Sequence, residues 1–235
     1  MNLNKLITGV ILLSTVLTVS CINGVVGNGN VEVKTESVDD FSRLKISGNF
    51  NVFLIQDDKP GLRIEADENL QEYIIVRQIG NKLVIGCDRN IIRASKKNLY
   101  IRFTDLGKID VEGAIDIVAE KPLEVESLAL FCSGAINLDM ELIADRMRIE
   151  ASGAVNCDLK GKVEDASIVL AGAGDFNALD MRTETMEIVM SGAGRARVFV
   201  TERLDVEIAG AGSIKYKGDP ETHKNIAGIG SLKKY

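Results

Sequence analysis

The residue types that usually carry catalysis are scarce in this chain. His223 is the single histidine, and it stands near the C-terminus between Glu221 and Lys224. A catalytic triad would need this imidazole beside a buried acid and an exposed nucleophile. The sequence contains no His-Glu-x-x-His, no Cys-x-x-Cys and no phosphate-binding loop motif. We therefore predict a solvated loop histidine, no catalytic residue, no metal site and no cofactor.

Polar residues recur at one position of a repeated segment, three residues after a glycine. This row consists of Asp116, Asn137, Asn156, Asp175, Arg195 and Ser213. If they stack in space, their side chains present a regular row of hydrogen-bond donors and acceptors to a glycan or a protein. They are the candidate ligand-binding residues. The alternative is that they lie outward or at a turn, where Asn and Asp side chains satisfy local backbone groups.

Acidic residues cluster near the first regular repeat, which raises two weaker alternatives. The members are Asp105, Asp110, Glu112, Asp116 and Glu120. A calcium site needs several oxygens converging on one point, and the Gly-Gly-x-Gly-x-Asp spacing of calcium-binding rolls is missing. A pair of carboxylates could also hydrolyse a glycosidic bond, but that reaction needs a substrate groove around them.

The glycine that anchors the polar row belongs to an internal repeat, which predicts the fold. The anchoring glycines are Gly113, Gly134, Gly153, Gly172, Gly192, Gly210 and Gly228, and Gly48 begins a similar segment. Successive members from Gly113 onward are 18–21 residues apart. This period suits one coil of a β-solenoid, in which stacked coils form one continuous core. We interpret the glycines as structural corners; an antiparallel β-sandwich is the rival fold.

Apolar residues alternate with polar ones around each glycine. Positions four before, two before and four after the glycine are apolar, as in Ile149, Ala151 and Cys157 around Gly153. This period of two is typical of strands that bury one face. Residues 107–235 are predicted to form the regular coils, and residues 31–106 a less regular N-terminal β part of the same domain.

The first residues resemble an export signal. Lys5 precedes an apolar run from Leu6 to Val19, which is too short for a membrane-spanning helix. We predict a lipoprotein signal peptide over residues 1–20, lipidation of Cys21 and a flexible tether over residues 21–30. An ordinary signal peptide cleaved nearby is the alternative.

Charge and composition exclude several functions. The net charge of −6 becomes −7 when residues 1–20 are removed, since Lys5 is their only charge. An acidic domain is a poor nucleic-acid ligand, so no nucleic-acid partner is expected. The chain has no Trp and only 5% aromatic residues, which argues against stacked-sugar recognition. Three cysteines follow Cys21, namely Cys87, Cys132 and Cys157, so at most one disulfide can form among them. Cys132 and Cys157 fall in apolar columns, which favours buried free thiols.

The layout resembles the head GIN domain family of putative auto-transporter adhesins (DUF2807). The resemblance covers roughly residues 37–235 and rests on the opening segment 41–54, the Gly134-Ala-Ile-Asn137 element, the repeated Gly-Ala-Gly, and the ending Tyr216-Lys-Gly-Asp-Pro with Ala227-Gly-Ile-Gly-Ser. It implies a right-handed parallel β-helix-like fold and exported or lipid-anchored proteins of Bacteroidetes. The family defines no catalytic residues.

Together these observations predict an all-β, right-handed parallel β-helix in a lipoprotein of the cell envelope, anchored in the outer membrane. The expected function is non-enzymatic: an adhesin or binding module whose partner is a glycan or an envelope or host protein. The alternatives are a periplasm-facing structural or assembly lipoprotein and a polysaccharide-acting β-helix enzyme. The oligomeric state is left open, and so is the side of the outer membrane on which the domain lies.

Overall fold

The computed structural model of the protein describes residues 24–235, and most of them are extended. The all-β class predicted from the repeat is therefore confirmed. The one helical element among the described residues is a 3-10 helix, Glu68–Tyr73. No helix in this part of the chain has the length and hydrophobicity needed to cross a bilayer. The predicted signal peptide and Cys21 lie outside the described residues.

Thirteen strands make up the described chain. They are β1 (Gly24–Val26), β2 (Val31–Glu36), β3 (Arg43–Gln56), β4 (Gly61–Asp67), β5 (Ile74–Ile79), β6 (Lys82–Cys87), β7 (Asn90–Arg93), β8 (Lys97–Phe103), β9 (Lys108–Ala119), β10 (Leu123–Gly210), β11 (Ser213–Lys217), β12 (Glu221–Gly228) and β13 (Ser231–Lys234). β10 is a single extended run of 88 residues that contains several of the repeats.

The repeats pair in parallel, each one in register with the next. In the β9–β10 pair Gly134 lies opposite Gly113, and in the β3–β9 pair Gly113 lies opposite Gly48. At the other end Gly228 of β12 lies opposite Gly210 of β10. From Gly113 onward the offset between paired residues equals the period of the sequence repeat, whereas the Gly48–Gly113 pair spans the less regular residues between β3 and β9. Equivalent side chains of successive coils consequently lie about 4.8 Å apart in one column.

The sheet as a whole is mixed, which departs from the purely parallel arrangement predicted from the sequence. β2 pairs antiparallel with β4, β4 with β8, and β5 with β6. All of these strands belong to residues 31–106, where the glycine repeat does not align. A short reversal joins β5 and β6 at Gly80, whose φ of +58° closes the turn, whereas β2–β4 and β4–β8 pair strands that are not consecutive in the chain. A direct reversal of this kind gives antiparallel pairing.

Glycine stacks on glycine in the regular coils. Gly153 has a φ of +104°, in a region that residues with a side chain rarely adopt. A Cβ atom added there would collide with the carbonyl oxygen of Gly134 in the preceding coil. The same collision, each time with the preceding glycine, would occur at Gly113, Gly134, Gly172, Gly192, Gly210 and Gly228. The glycine column therefore lets the backbones of successive coils approach closely.

The core lies inside the stacked coils and consists of the apolar columns. Ile149, Ile168 and Ile188, each four residues before its glycine, are fully buried. Cys132 and Cys157 are buried in the same core. Cys87 is half-buried, and all three cysteines are free thiols. The columns found in the sequence are thus the buried face of the coils.

The segment predicted as a flexible tether is held against the domain over its described part, residues 24–30. β1 pairs with β7, and the buried carboxylate of Asp67 accepts a hydrogen bond from the Gly29 N–H at 3.0 Å. The other oxygen of Asp67 accepts from the N–H groups of Ser95 at 2.9 Å and Lys96 at 3.2 Å. Burial of Asp67 opposes ionisation, but these backbone donors outweigh it and lower the pKa of the carboxyl group. Residues 24–30 thus contact the domain through strand pairing and through the Asp67 carboxylate.

Replacing Gly153 by Ala should destabilise the protein by about 3 kcal/mol or more, since the new Cβ adds a backbone collision to an unfavourable φ. Thermal or urea unfolding measures the change. Gly80→Asn is the matched control: Gly80 has positive φ but open space around it, and Asn tolerates that conformation, so its effect should stay within about 1 kcal/mol. Equal effects of the two substitutions would contradict the stacking.

Replacing Asp67 by Asn should free residues 24–30 and cost about 1–3 kcal/mol at pH 7, since an amide group cannot accept all three N–H bonds. Hydrogen exchange should accelerate at Gly29, Ser95 and Lys96. Because the folded-state pKa lies below the ordinary value of 3.8, the carboxylate stabilises the fold above that value. This contribution is lost as the pH falls through the folded-state pKa. A variant whose deficit in unfolding free energy does not shrink in acid would contradict this role.

Candidate binding surface

The predicted polar row forms a ladder of side-chain hydrogen bonds across successive coils. Asn137 Nδ2 donates to Asp116 Oδ1 at 2.6 Å, and Asn156 Nδ2 donates to Asn137 Oδ1 at 3.0 Å. The backbone N–H of Asp175 donates to Asn156 Oδ1 at 3.2 Å. Arg195 donates two hydrogen bonds to the Asp175 carboxylate, from Nε to Oδ1 at 2.8 Å and from Nη2 to Oδ2 at 3.1 Å. The structure thus brings five of the six predicted residues together in one chain of contacts.

Ser213, the sixth predicted residue, lies opposite Arg195 in the β10–β11 register. Its hydroxyl group is 3.2 Å from that of Ser231 on the next coil rather than bonded to Arg195. The column therefore continues to the last coil of the described chain.

The ladder also extends toward the N-terminus, through residues that the sequence did not reveal. Asn51 lies opposite Asp116 and donates to Asn98 Oδ1 at 2.9 Å, and Asn98 donates to Glu65 at 2.9 Å. Asn51 stands three residues after Gly48, so the repeat offered a signal for it. Asn98 and Glu65 follow no repeat glycine, and only strand pairing places them in the column. We call the column from Glu65 to Ser231 the polar ladder.

The side chains of the ladder point outward, because the residues on either side of them face the core. Asn137 and Asn156 are exposed, whereas Ile136, Leu138 and Cys157 are buried. A shallow groove of about 500 Å³ runs along this part of the ladder, bordered on its other side by Asp139, Asp158, Asn177 and Arg197. Each Asn amide group uses one N–H within the ladder and has a second that can bind a ligand.

The ion pair of the ladder is exposed and contributes little to stability. The Arg195–Asp175 pair is open to solvent, with 74% and 42% of the two side chains exposed. Exposed pairs of this kind contribute about 0–1 kcal/mol. Asn177 carries a further polar atom, Oδ1, that is itself buried and has no hydrogen-bond partner in the described chain. From Asp116 to Arg195 the side chains of the ladder are therefore exposed polar groups whose ion pair adds little to the stability of the fold.

A second, wider groove of about 570 Å³ lies on another side of the coils. Its charged lining comprises Arg146, Arg148, Asp165, Glu187, Arg203 and Asp205. Most of these charges are paired, as in Arg148–Glu150 at 2.5 Å and Arg203–Asp205 at 2.8 Å. Asp165 accepts a hydrogen bond from the Thr185 hydroxyl group. We call this feature the charged groove; the sequence analysis did not identify it.

His223 lies on β12 and not in the loop predicted from the sequence. Its Nδ1 atom is 3.2 Å from Asp205 Oδ1, and its Nε2 atom is 3.5 Å from Glu221 Oε1. The imidazole ring is 57% exposed. Two carboxylates, those of Asp205 and Glu221, therefore flank the ring.

The buried thiols are not poised for chemistry. Burial raises the pKa of Cys132 and of Cys157 to about 12. The nucleophilic thiolate is therefore essentially absent at neutral pH. Residues 24–235 contain no group of three or more His, Cys, Asp or Glu side chains arranged to hold a metal ion.

Comparison with protein families identifies the domain. The model of the DUF2807 family, described as "Putative auto-transporter adhesin, head GIN domain", matches residues 40–220. The chain belongs to this family. The resemblance inferred from the opening segment, the glycine repeat and the ending is thereby confirmed. No curated protein matches the sequence significantly.

Solved structures share the fold of this head GIN domain. A putative adhesin from Bacteroides fragilis has a TM-score of 0.87 at 24% identity, with 90% of this chain and 100% of that chain covered. A putative lipid binding protein from Parabacteroides distasonis has a TM-score of 0.73 at 24% identity, with 90% and 99% covered. A putative adhesin from Parabacteroides merdae has a TM-score of 0.64 at 21% identity, with the same coverage. At these identities the similarity shows the fold alone.

Proposed function

We propose that the protein is a non-enzymatic adhesin of the cell envelope that holds its ligand on the polar ladder. The observation that carries this proposal is the unbroken, exposed row of side-chain contacts from Asp116 to Arg195. The family description as an adhesin supports the same role. The ladder offers regularly spaced donors and acceptors, which suit a ligand that also repeats along its length, such as a glycan.

The first residues of the sequence support a location in the envelope. An apolar run followed by Ser20 and Cys21 fits a signal peptide whose cleavage leaves Cys21 as an acylated N-terminus. Acyl chains on Cys21 would anchor the protein in the outer membrane. The parallel coils of residues 107–235 would then extend from the anchored end. We take their winding to be right-handed, because connections between parallel strands nearly always are.

The charged groove is where a polysaccharide-acting enzyme would have its site. Glycoside hydrolysis needs one carboxylic acid kept protonated, usually in an apolar pocket, and a second carboxylate that stays charged. Asp165 is instead bonded to Thr185, and Asp205 is held between Arg203 and His223. This arrangement favours structural pairing of the groove's charges over acid–base catalysis.

The double substitution Asn137→Ala with Asn156→Ala should weaken ligand binding about tenfold or more, since each removes hydrogen-bonding groups worth about 1 kcal/mol. The measurement is a glycan-array and envelope-protein binding screen with the full mature chain carrying Cys21→Ser. Because both side chains are exposed, the free energy of unfolding should change by no more than about 0.5 kcal/mol.

The control for this screen is Ser133→Ala with Ser191→Ala, which removes two exposed polar groups from a different outward column. These variants should bind as the wild-type protein does. Loss of binding in the control together with retained binding in the ladder variant would overturn the assignment of the site. A wild-type chain that binds nothing in the screen would contradict the adhesin proposal.

A further inference from the structure

The face that carries the polar ladder is divided into an acidic half and a basic half. We define the ladder face as the outward positions three, five and seven residues after each glycine from Gly113 to Gly228. From Asp116 to Asp175 the carboxylates are those of Asp116, Glu120, Asp139, Glu141, Asp158 and Asp175, with Lys160 as the one cation at these positions. The following coils carry Arg195, Arg197, Lys215, Lys217 and Lys233 at the same positions, with no carboxylate.

Strand register shows that these residues share one face. Asp139 lies opposite Val118, Arg197 opposite Lys215, and Lys215 opposite Lys233. The ladder contacts connect the two halves, because Arg195 of the basic half binds Asp175 of the acidic half. The boundary between the halves therefore lies between the coils of Gly172 and Gly192.

Most of the charge on this face is free to meet a partner. Asp139 is 3.7 Å from Lys160, and Lys217 lies over the Phe199 ring at 4.7 Å. Eight charged residues of the face have no ion-pair partner within residues 24–235 and are exposed. They are Asp116, Glu120, Glu141, Asp158, Arg197, Lys215, Lys217 and Lys233. Unpaired charges of one sign on each half leave an electrostatic field across the face that a complementary surface can neutralise.

A second copy of the same face, turned around, is complementary to this pattern. A two-fold axis that lies in the plane of the contact, perpendicular to the coil axis at the Asp175–Arg195 boundary, would place each acidic half on the partner's basic half. Such an isologous contact uses one surface twice and needs no second site. A uniformly charged polymer would instead be attracted by one half and repelled by the other.

We propose that the ladder face binds a second copy of this chain in antiparallel orientation, a partner assignment that rests on the proposed function of the same face. The two-fold axis reverses the direction of the coils, so the N-termini of the two copies lie at opposite ends. Copies anchored through Cys21 would then belong to two different membranes. Homotypic contact between neighbouring cells is the form of adhesion that this geometry supplies.

The size of the face indicates a weak contact. Seven coils at about 4.8 Å per step span about 30 Å, and three outward columns are narrower than that. The area buried per partner is therefore below the ~800 Å² of a standard interface. We expect a dimer that forms at micromolar or higher concentration. It should dissociate at high salt because its attraction is electrostatic. Many copies on each of two surfaces should bind more strongly than a single pair does.

The experiment is a charge swap followed by sedimentation analysis of the full mature chain carrying Cys21→Ser. Variant one carries Arg197→Glu with Lys215→Glu, which removes most of the net positive charge of the basic half. Variant two carries Glu141→Lys with Asp158→Lys, which removes most of the net negative charge of the acidic half. Each variant alone should dimerise at least tenfold more weakly than the wild-type chain. An equal mixture of the two should recover a heterodimer, because the unchanged acidic half of variant one meets the unchanged basic half of variant two.

The control variant is Lys59→Glu with Arg182→Glu, which changes the net charge as variant one does but lies outside the ladder face. It should dimerise as the wild-type chain does, and thermal melting verifies that all variants fold. A wild-type chain that stays monomeric at millimolar concentration in low salt overturns the proposal, as does a mixture that fails to recover the dimer. If the chain is monomeric yet binds a glycan through Asn137 and Asn156, the homotypic inference fails while the proposed function stands.

Discussion

Close contact between glycine backbones is the constraint on which the other features of this domain depend. A Cβ at Gly134 would collide with Gly113, and one at Gly153 would collide with Gly134. Each glycine therefore has to lie against the glycine of the preceding coil. That choice sets the register of every other column. A shift by one residue would turn the buried face outward, so the glycines and the apolar columns select the same alignment. The outward columns, including the polar ladder, are aligned as a consequence.

This division of roles leaves the outward residues free to serve function. Stability comes from the buried columns, whereas exposed contacts such as Arg195–Asp175 add little to the free energy of unfolding. The composition of the ladder can therefore vary from coil to coil without endangering the fold, and its charge changes sign along the axis. The buried columns consist mainly of Ile, Leu, Val, Met and Ala, which agrees with the low aromatic content of the sequence.

The sequence predicts those parts of the structure that repeat. The spacing of Gly113 to Gly228 and the alternation around each glycine correctly predicted the all-β class, the buried columns and the outward row. Where pairing is decided by contacts between distant, non-repeating segments, the sequence carries no such signal. Asn98 joins the ladder only because β8 pairs with β3, and residues 24–30 are ordered by Asp67, some forty positions away in the chain. The antiparallel pairs β2–β4 and β4–β8 were missed for the same reason.

The most direct test of this account is a disulfide cross-link between coils. In a background with Cys21→Ser and Cys87→Ser, cysteines that replace Asn137 and Asn156 should lie about 5 Å apart and form a disulfide on mild oxidation. Cysteines that replace Asn137 and Asp175 lie two coils apart, at about 10 Å, and should not form one. Mass spectrometry of the oxidised proteins distinguishes the two cases. Efficient cross-linking of the second pair, or none of the first, would contradict the in-register stacking from which both the core and the polar ladder arise.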